Sequence, residues 1–323
     1  MKKQRFTGPM GEKMKQHIEL RRAMGYIYKA PEFTLDAFDQ YLKLNHPHCQ
    51  TISRNMITGY LEITKKNLPL SRAAHLTHLR QFCRFLFQFD VNTYIPEKGL
   101  LPPGKVQVRP HIFTEDEVIS VMVQAKKLNV KNKLLPHTYI TIIGLLWTTG
   151  MRVGEVVNLK INDIDLINER LYVRETKFFK SRMIPLLSST IQHLRDYLYK
   201  RKKQGFANIK DNYLFVSNRG KPCITATVPR MIRELIIRAG IKADNNKIPR
   251  VHDLRHSFAT RWLTEIYQSG KDPNSYLPVL ATYLGHTNIA NTQVYLHPST
   301  ELLDIAGKKL HTYLSSQKEK NNV

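Results

Sequence analysis

The chain has 323 residues, which is long enough for two domains that each bury a core. Its 50 Lys and Arg residues outnumber its 26 Asp and Glu residues, and the formal net charge of +24 favours a polyanionic partner, above all nucleic acid. These charges are spread along the whole chain rather than gathered in one amphipathic helix, which argues against a membrane-surface protein. Three widely separated cysteines without a CxxC pair argue against a disulfide framework: Cys49, Cys83 and Cys223.

The N-terminal segment MKKQRFTGPMGEKMK has no apolar stretch of the kind found in a signal peptide. No window of the sequence approaches 18 uncharged apolar residues, so we expect a cytoplasmic protein without a transmembrane helix. The segment HPHC at residues 46–49 contains residue types that ligate metals, but no second cluster of ligands completes a site. We therefore expect a surface turn at HPHC, and no metal or other cofactor.

Residues 1–98 are predicted to form a helical domain. In TLDAFDQYLKL the apolar residues Leu35, Phe38 and Leu42 recur at spacings of three and four, after a candidate N-cap at Thr34. A second apolar stripe, at positions 79, 82 and 86 of SRAAHLTHLRQFCRFLFQF, leaves arginines on another face of the same helix. A basic helix face is typical of either a solvated surface or a DNA contact, and the net charge favours DNA.

The clearest boundary in the chain is the stretch PEKGLLPPGKVQVRP at residues 96–110. Its four prolines and two glycines cannot lie inside a regular element, which predicts an interdomain linker at residues 99–110. The stretch is also basic, through Lys98, Lys105 and Arg109. A second domain is therefore expected at residues 111–323.

The second domain is predicted to be mainly helical with a small antiparallel sheet. TEDEV predicts a helix capped by Thr114 with Glu117 three residues later, and HTYITIIGLLWTTG predicts a buried helix that ends at Gly150. The alternating stretch IDLINERLYVRETKFFKSRMIPL predicts two strands around a loop at residues 177–181. Four further helices are predicted in ATVPRMIRELIIRAG, HDLRHSFATRWLTEI, YLPVLATYLG and TELLDIAGKKLHTYL.

Two short motifs in this domain pair an arginine with a residue three positions away. In TTGMRVGEVVNL, Glu155 follows Arg152 at the spacing that places two side chains on one helix face, so the carboxylate can orient the guanidinium. In VHDLRHSF, His252 and Arg255 have the same spacing. Either motif alone is more typical of a surface salt bridge or an ordinary helix face than of a catalytic site.

A third motif, LGHTNIANTQVYLH, places His286 directly after a glycine and Tyr295 nine residues later. A tyrosine in such a context usually packs in a core and forms one hydrogen bond. The order of the motifs along the chain is what distinguishes this sequence: arginine, hairpin lysine, His-x-x-Arg, Leu-Gly-His and then tyrosine. The occurrence of all these motifs, in this order, in one basic chain is not expected by chance.

Together these motifs resemble the signature Arg-Lys-His-Arg-His-Tyr of the tyrosine recombinase (phage integrase) family, over about residues 106–300. Residues 1–98 resemble, by position and pattern, the helical core-binding (SAM-like) DNA-binding domain of that family. The resemblance implies a two-domain clamp around duplex DNA, with Glu155 as a supporting residue. It implies these catalytic residues: Arg152, Lys177, His252, Arg255, His286 and Tyr295.

The chemistry of phosphodiester cleavage fits these residue types. Tyrosine, with a pKa of about 10, is a poor nucleophile unless a partner takes its proton, and the negative phosphate repels a phenolate. Two guanidinium groups can bind the non-bridging oxygens, and a lysine can protonate the departing 5′-oxygen. The mechanism needs no metal, and because the phosphotyrosyl link conserves the bond energy, rejoining needs no ATP.

Two features depart from the family pattern. The predicted hairpin reads ETKFFKSRM, where Lys177 matches the family lysine through its preceding threonine and Lys180 remains an alternative. Arg255 and His286 are 31 residues apart, more than in compact members, and we expect the additional residues in a surface loop within YQSGKDPNSYLP.

The resemblance implies a site-specific recombinase that forms a 3′-phosphotyrosine at Tyr295, acts as a homo-tetramer on two DNA sites, and works with accessory directionality proteins. We expect Tyr295 to act in cis. Two alternatives remain open: a monomeric type IB topoisomerase with the same chemistry, and a non-catalytic DNA-binding regulator. A C-terminal apolar stripe could pack on a neighbouring protomer or on its own domain; it comprises Leu303, Leu310 and Leu314.

Overall fold

A computed structural model describes residues 5–102, 109–128, 132–174, 181–207, 212–217, 219–243, 246–286 and 288–296. The chain divides into two compact units, residues 1–108 and residues 109–323. Within the described ranges, every helix is too short or too polar to cross a membrane.

The first unit is helical. Its core is built from the two apolar stripes that the sequence predicts, with Leu35, Phe38, Leu42, Leu79 and Phe82 completely buried. Burying these faces against one another is the main stabilising contribution available to short amphipathic helices. The helices of this unit are α1 (Gly11–Ala23), α2 (Lys29–Asn45), α3 (Arg54–Ile63) and α4 (Pro69–Leu86), with a 3₁₀ turn at Thr64–Lys66.

The predicted N-cap at Thr34 is wrong, because α2 begins at Lys29 and Thr34 lies in its second turn. The chain enters α2 through Tyr28, which has a left-handed conformation with φ of 51°. Pro31 does not prevent this early start, because proline is tolerated in the first turn of a helix. The hydroxyl of Thr34 donates to the carbonyl of Ala30 at 3.3 Å and lies 2.9 Å from Nδ1 of His78.

The second unit is mainly helical and includes a small sheet, as predicted. Its elements are α5 (Glu115–Lys126), α6 (Leu135–Thr149), α7 (Val153–Val157), β1 (Ile164–Asp165), β2 (Arg170–Val173), β3 (Arg182–Pro185), α8 (Ser188–Lys203), α9 (Val228–Arg238), α10 (Asp253–Gln268), α11 (Pro273–Leu284) and α12 (Ala290–Gln293). Two 3₁₀ turns, Ile161–Asp163 and Val294–Leu296, complete the described elements.

Two predicted helix ends in this unit are confirmed. Thr114 accepts a hydrogen bond from the amide of Glu117 at 3.2 Å, and the amide of Thr114 donates to the Glu117 carboxylate at 3.0 Å. These reciprocal bonds satisfy two amides that the first turn of α5 would leave unpaired. The helix α6 terminates at Gly150, whose φ of +60° suits a residue without a Cβ atom.

The sheet has the order β1-β2-β3 and is antiparallel throughout. Leu171 pairs with Ile184, and both are completely buried, which fixes the register of β2 against β3. The two strands are confirmed at their predicted positions. The loop predicted between them includes residues 175–180, which lie outside the described residues, as do Leu303, Leu310 and Leu314 and the helix predicted around them.

The surface loop predicted within residues 267–278 is much shorter than expected. α10 continues to Gln268, and α11 already begins at Pro273. Asp272 is the N-cap of α11 and accepts a hydrogen bond from the amide of Asn274 at 3.0 Å. Aspartate followed by proline is a helix-start signal, and it prevails over the loop composition of the surrounding residues.

Candidate active site

Two helix ends in the second unit supply the acceptors around which the site is built. Gly150 ends α6, and Gly285 ends α11 in a left-handed conformation with φ of +69°. The last carbonyls of a helix have no partner within it and carry the negative end of the helix dipole. Such carbonyls bind guanidinium groups well, and two of the predicted catalytic arginines lie against them.

Arg255 lies in the first turn of α10 and is only 2% exposed. Its Nη1 atom donates to the carbonyl of Gly150 at 2.8 Å, and its Nη2 atom donates to that of Leu284 at 2.7 Å. Burial, and next the neighbouring charge of Arg152, lower the pKa of Arg255 to about 10, so the group is still charged at neutral pH. Its Nε atom is buried without a hydrogen-bond partner among the described residues.

His286 is oriented from both sides of its ring. Its Nε2 atom lies 2.9 Å from Nη2 of Arg255, and its Nδ1 atom lies 2.8 Å from the hydroxyl oxygen of Thr292, a completely buried residue. Because a guanidinium can only donate, Nε2 accepts and the ring proton is on Nδ1. Burial, followed by the charges of Arg255 and Arg152, lowers the pKa of His286 to about 4. The imidazole is therefore neutral at pH 7.

Tyr295 lies in the 3₁₀ turn Val294–Leu296, close to His286. Its ring is nearly parallel to that of His286, with 16° between the planes and 6.2 Å between the centroids. The ring of His256 contacts it edge-on, with centroids 5.2 Å apart. Tyr295 is 5% exposed and belongs to an apolar cluster with residues of α10 and α11, including Leu263 and Leu284.

Glu155 is shared by two arginines. Arg152 donates from Nη1 to Oε1 of Glu155 at 2.8 Å and from Nη2 to the carbonyl of Gly285 at 3.1 Å. Arg182, from β3, donates to both carboxylate oxygens, at 3.1 and 2.7 Å. Burial alone would raise the pKa of Glu155, but the hydrogen bonds and charge of Arg182, with those of Arg152, hold it below its usual range.

Two histidines flank the arginines. His252 is exposed at the start of α10, and its ring contacts that of His256 edge-on at 5.1 Å. The pKa of His252 is lowered by the protein atoms packed around it and by the charges of Arg255 and Arg250. Burial, and next His252, lower the pKa of His256 to about 4. Both rings are therefore neutral at pH 7, which is the form that accepts a proton.

The structure thus brings together Arg152, Glu155, Arg255, His286 and Tyr295, and it places His252 at the solvent side of the same group. Lys177 and Lys180 both lie outside the described residues. Within the part of the chain that is described, no three His, Cys, Asp or Glu side chains are arranged to hold a metal ion.

The sequence reasoning missed three residues of this group. His256 directly follows Arg255, so the motif HDLRH itself contained the signal. Arg182 follows the predicted hairpin loop, but nothing local to it indicates its partner, Glu155, 27 residues earlier. Thr292 lies six residues after His286, a spacing with no meaning until the chain between them is folded.

Comparison with known proteins identifies the family. The phage integrase family matches residues 111–301. The "Putative integrase/recombinase y4rB" of Sinorhizobium fredii is 35% identical over 302 residues, which are 92% of this chain and 95% of the relative. The tyrosine recombinase XerD of Oceanobacillus iheyensis is 30% identical over 268 residues, covering 80% of this chain and 82% of XerD.

A solved structure shares the fold. The crystal structure of the XerH site-specific recombinase, bound to its palindromic difH substrate after cleavage, has a TM-score of 0.64 at 20% identity. The match covers 86% of this chain and 78% of that chain. The family match and the two relatives show that the chain belongs to the phage integrase family, the tyrosine recombinases, which are DNA strand transferases.

Proposed function

We propose that this chain is a site-specific DNA recombinase that cleaves and rejoins duplex DNA through a 3′-phosphotyrosyl intermediate at Tyr295. The observation that carries the proposal is the convergence of a phenol, two guanidinium groups and two neutral imidazoles at the ends of α6 and α11. Each of these groups has a use in phosphodiester cleavage, and few other reactions use all of them.

In the cleavage step the oxygen of Tyr295 forms a bond to phosphorus while the bond from phosphorus to the 5′-oxygen breaks. Arg152 and Arg255 stabilise the charge on the non-bridging oxygens, where a preorganised donor is typically worth about 10²–10³ in rate. His252, neutral and exposed, accepts the phenolic proton, and Lys177 donates a proton to the departing 5′-oxygen. Reversal with a 5′-hydroxyl from the other DNA reseals the strand.

His286 has a different role in this proposal. Its Nε2 atom accepts from Arg255, so it has no proton there to give to the phosphate. It holds the guanidinium in place from within the protein, while Thr292 fixes the ring. Because Tyr295 is only 5% exposed, attack requires the segment at residues 290–296 to move the hydroxyl towards bound DNA. We expect this movement to occur in cis.

The number of DNA strands to be cut determines the number of protomers. Two recombination sites contain four strands to be cut, and one tyrosine per strand requires four protomers. We propose that the unit at residues 1–98 and the catalytic unit at residues 111–323 both contact the duplex as a clamp, with the basic linker at residues 99–110 crossing the backbone. Accessory proteins would set the direction of recombination, and the reaction would take place in the cytoplasm, where bacterial DNA lies.

Covalent capture tests the proposal. Nicked duplexes copied from the DNA on either side of the gene are incubated with the protein, denatured in SDS and separated by size. The nick releases the short strand after cleavage and so prevents resealing. We expect the wild type to form an SDS-stable adduct on one of these duplexes, here named the flanking duplex, without Mg²⁺ or ATP.

Two variants decide which tyrosine attacks. Tyr295→Phe should form no adduct, whereas Tyr283→Phe, which removes a hydroxyl from a half-buried tyrosine of the same unit, should form it normally. An adduct that persists in Tyr295→Phe would contradict the proposal. Relaxation of a plasmid that lacks the captured sequence would instead favour a type IB topoisomerase, and DNA binding without any adduct would favour a regulator.

A further inference from the structure

The two arginines that share Glu155 do not share it equally. Arg182 donates from both Nη atoms to both carboxylate oxygens, at 3.1 and 2.7 Å, in the two-pronged geometry that planar guanidinium groups form with carboxylates. Arg152 uses only Nη1 on the carboxylate, and its Nη2 atom is on the carbonyl of Gly285. Glu155 therefore has one principal counterion, and that counterion is Arg182.

The low solvent exposure of Arg182 and Glu155 further favours their pairing over that of Arg152 with Glu155. The Arg182 side chain is 12% exposed and that of Glu155 is 8% exposed, so their attraction is little screened by water. The Arg152 side chain is 38% exposed. The single negative charge of Glu155 compensates the charge of one guanidinium, and that guanidinium is the buried one of Arg182. The positive charge that remains is on Arg152, the guanidinium that solvent, and hence a phosphate, can reach.

The backbone around Arg182 makes room for this pair. A Cβ atom on Gly285 would lie 2.8 Å from Nη1 of Arg182, closer than side chains tolerate. In β3, Arg182 is paired with Val173, and this ladder fixes where its side chain begins. The strand and the glycine turn thus hold Arg182 on Glu155 rather than leaving it to pair with solvent.

We propose that Arg182 is a positioning residue for strand cleavage: it neutralises Glu155, and so keeps the charge of Arg152 available for the DNA phosphate. Without Arg182, the Glu155 carboxylate would pair fully with Arg152 and compete with the phosphate for it. This inference rests on the proposed function. It makes a specific demand, because an arginine that acts by neutralising a carboxylate is needed only while that carboxylate is charged.

The test is a pair of substitutions measured separately and together by the rate of adduct formation on the flanking duplex. Arg182→Met should slow cleavage by on the order of tenfold to a hundredfold, less than the roughly 10²–10³ expected for loss of a direct donor. Glu155→Gln removes the negative charge. In that background, Arg182→Met should change the rate by less than about threefold, because no carboxylate remains for Arg182 to neutralise.

Further variants keep the result interpretable. Arg170→Met removes an arginine from the neighbouring strand that does not contact Glu155, and it should react as fast as the wild type. Arg182→Lys retains the charge without the fork, so it should be slowed less than Arg182→Met, and this defect should also disappear in the Glu155→Gln background. If thermal unfolding shows that Arg182→Met does not fold, Arg182→Lys with and without Glu155→Gln provides the same comparison.

A defect of Arg182→Met that is equally large in the wild-type background and in the Glu155→Gln background would overturn the inference, since Arg182 would then act on the DNA or on the fold directly. A wild-type rate in Arg182→Met would overturn it as well. Both outcomes require that the wild type forms the adduct and that Tyr295→Phe does not. If the wild type forms none, the proposed function itself fails, which is a distinguishable result.

Discussion

The ring of Tyr295 packs nearly parallel to that of His286, with 16° between the two planes, and its hydroxyl group is a hydrogen-bonding neighbour of Arg255. Tyr295→Phe keeps the ring contacts and loses only this interaction, so we expect it to lose about 0.5–1.5 kcal/mol in the free energy of unfolding. Tyr295→Ala should lose about 3–5 kcal/mol, because it leaves a cavity in the apolar cluster with Leu263 and Leu284. Thermal and urea unfolding of both variants measure this, and similar losses in both would show that the hydroxyl has a structural role.

Arg255 should not be replaceable by lysine. Its two Nη atoms reach three acceptors, the carbonyls of Gly150 and Leu284 and the Nε2 atom of His286, and a single ammonium on a flexible chain cannot reproduce that geometry. We expect Arg255→Lys to slow adduct formation by about 10²–10³. Arg195→Lys, in which the arginine donates to the Leu166 carbonyl at the surface, should react normally. Equal rates for Arg255→Lys and the wild type would exclude the two-pronged contact from catalysis.

We expect Thr292 to affect cleavage only through its hydrogen bond with His286. Thr292→Val keeps the shape of the side chain but removes the acceptor for the Nδ1 proton of His286, which leaves a donor without its partner. We expect a loss of about 1–3 kcal/mol in the free energy of unfolding and slower cleavage, since the ring is no longer fixed against Arg255. Thr282→Val removes an exposed hydroxyl from α11 and serves as the control. If both variants react alike, His286 does not depend on Thr292.

Stability should fall as the medium becomes acidic, partly because of His286. Its pKa is about 4 in the folded protein, below the value of about 6.5 expected in the unfolded chain. Between these two values the unfolded state binds more protons, so stability is complete above about pH 6.5 and is lost as the pH falls towards 4. Replacing His286 by Gln should therefore make the free energy of unfolding less steep between about pH 6.5 and 4.5. An unchanged slope would show that this imidazole is not held neutral by the fold.

The two candidate acids of the hairpin can be separated by the leaving group. If Lys177 protonates the 5′-oxygen, Lys177→Ala should cleave ordinary DNA slowly but recover on DNA with sulfur at the bridging 5′ position, because a thiolate leaves without a proton. Arg152→Ala should recover much less, since its role is at the non-bridging oxygens. Lys180→Ala should be only mildly impaired on ordinary DNA. A large defect and a sulfur rescue in Lys180→Ala, with neither in Lys177→Ala, would reassign the acid to Lys180.

Local signals in the sequence predicted much of the architecture. The end of α6 at Gly150 and the cap of α5 at Thr114 depend on residues within four positions of each other, and both are confirmed. Thr34 shows the limit of the same reasoning. Its hydroxyl could have capped a helix, but His78, 44 residues away, offers a partner that only the folded chain brings near.

The candidate site likewise contains contacts that local spacing predicts and contacts that depend on distant segments. The pairing of Arg152 with Glu155 was predicted from their spacing, and they form an ion pair at 2.8 Å. The second partner of Glu155, Arg182, comes from a strand whose approach to α7 is fixed by the whole unit. Contacts between distant segments depend on packing, and a single sequence does not report packing.

The principal acceptors of Arg255 are main-chain carbonyls, those of Gly150 and Leu284. Every amino acid brings the same carbonyl to its position, so a mutation at either place can displace the acceptor but cannot delete it. Descendants of this chain could therefore exchange many side chains around the arginine and still inherit the groups that hold it. The geometry of the candidate site is then preserved by the positions of two helix ends more than by the identity of the neighbouring side chains.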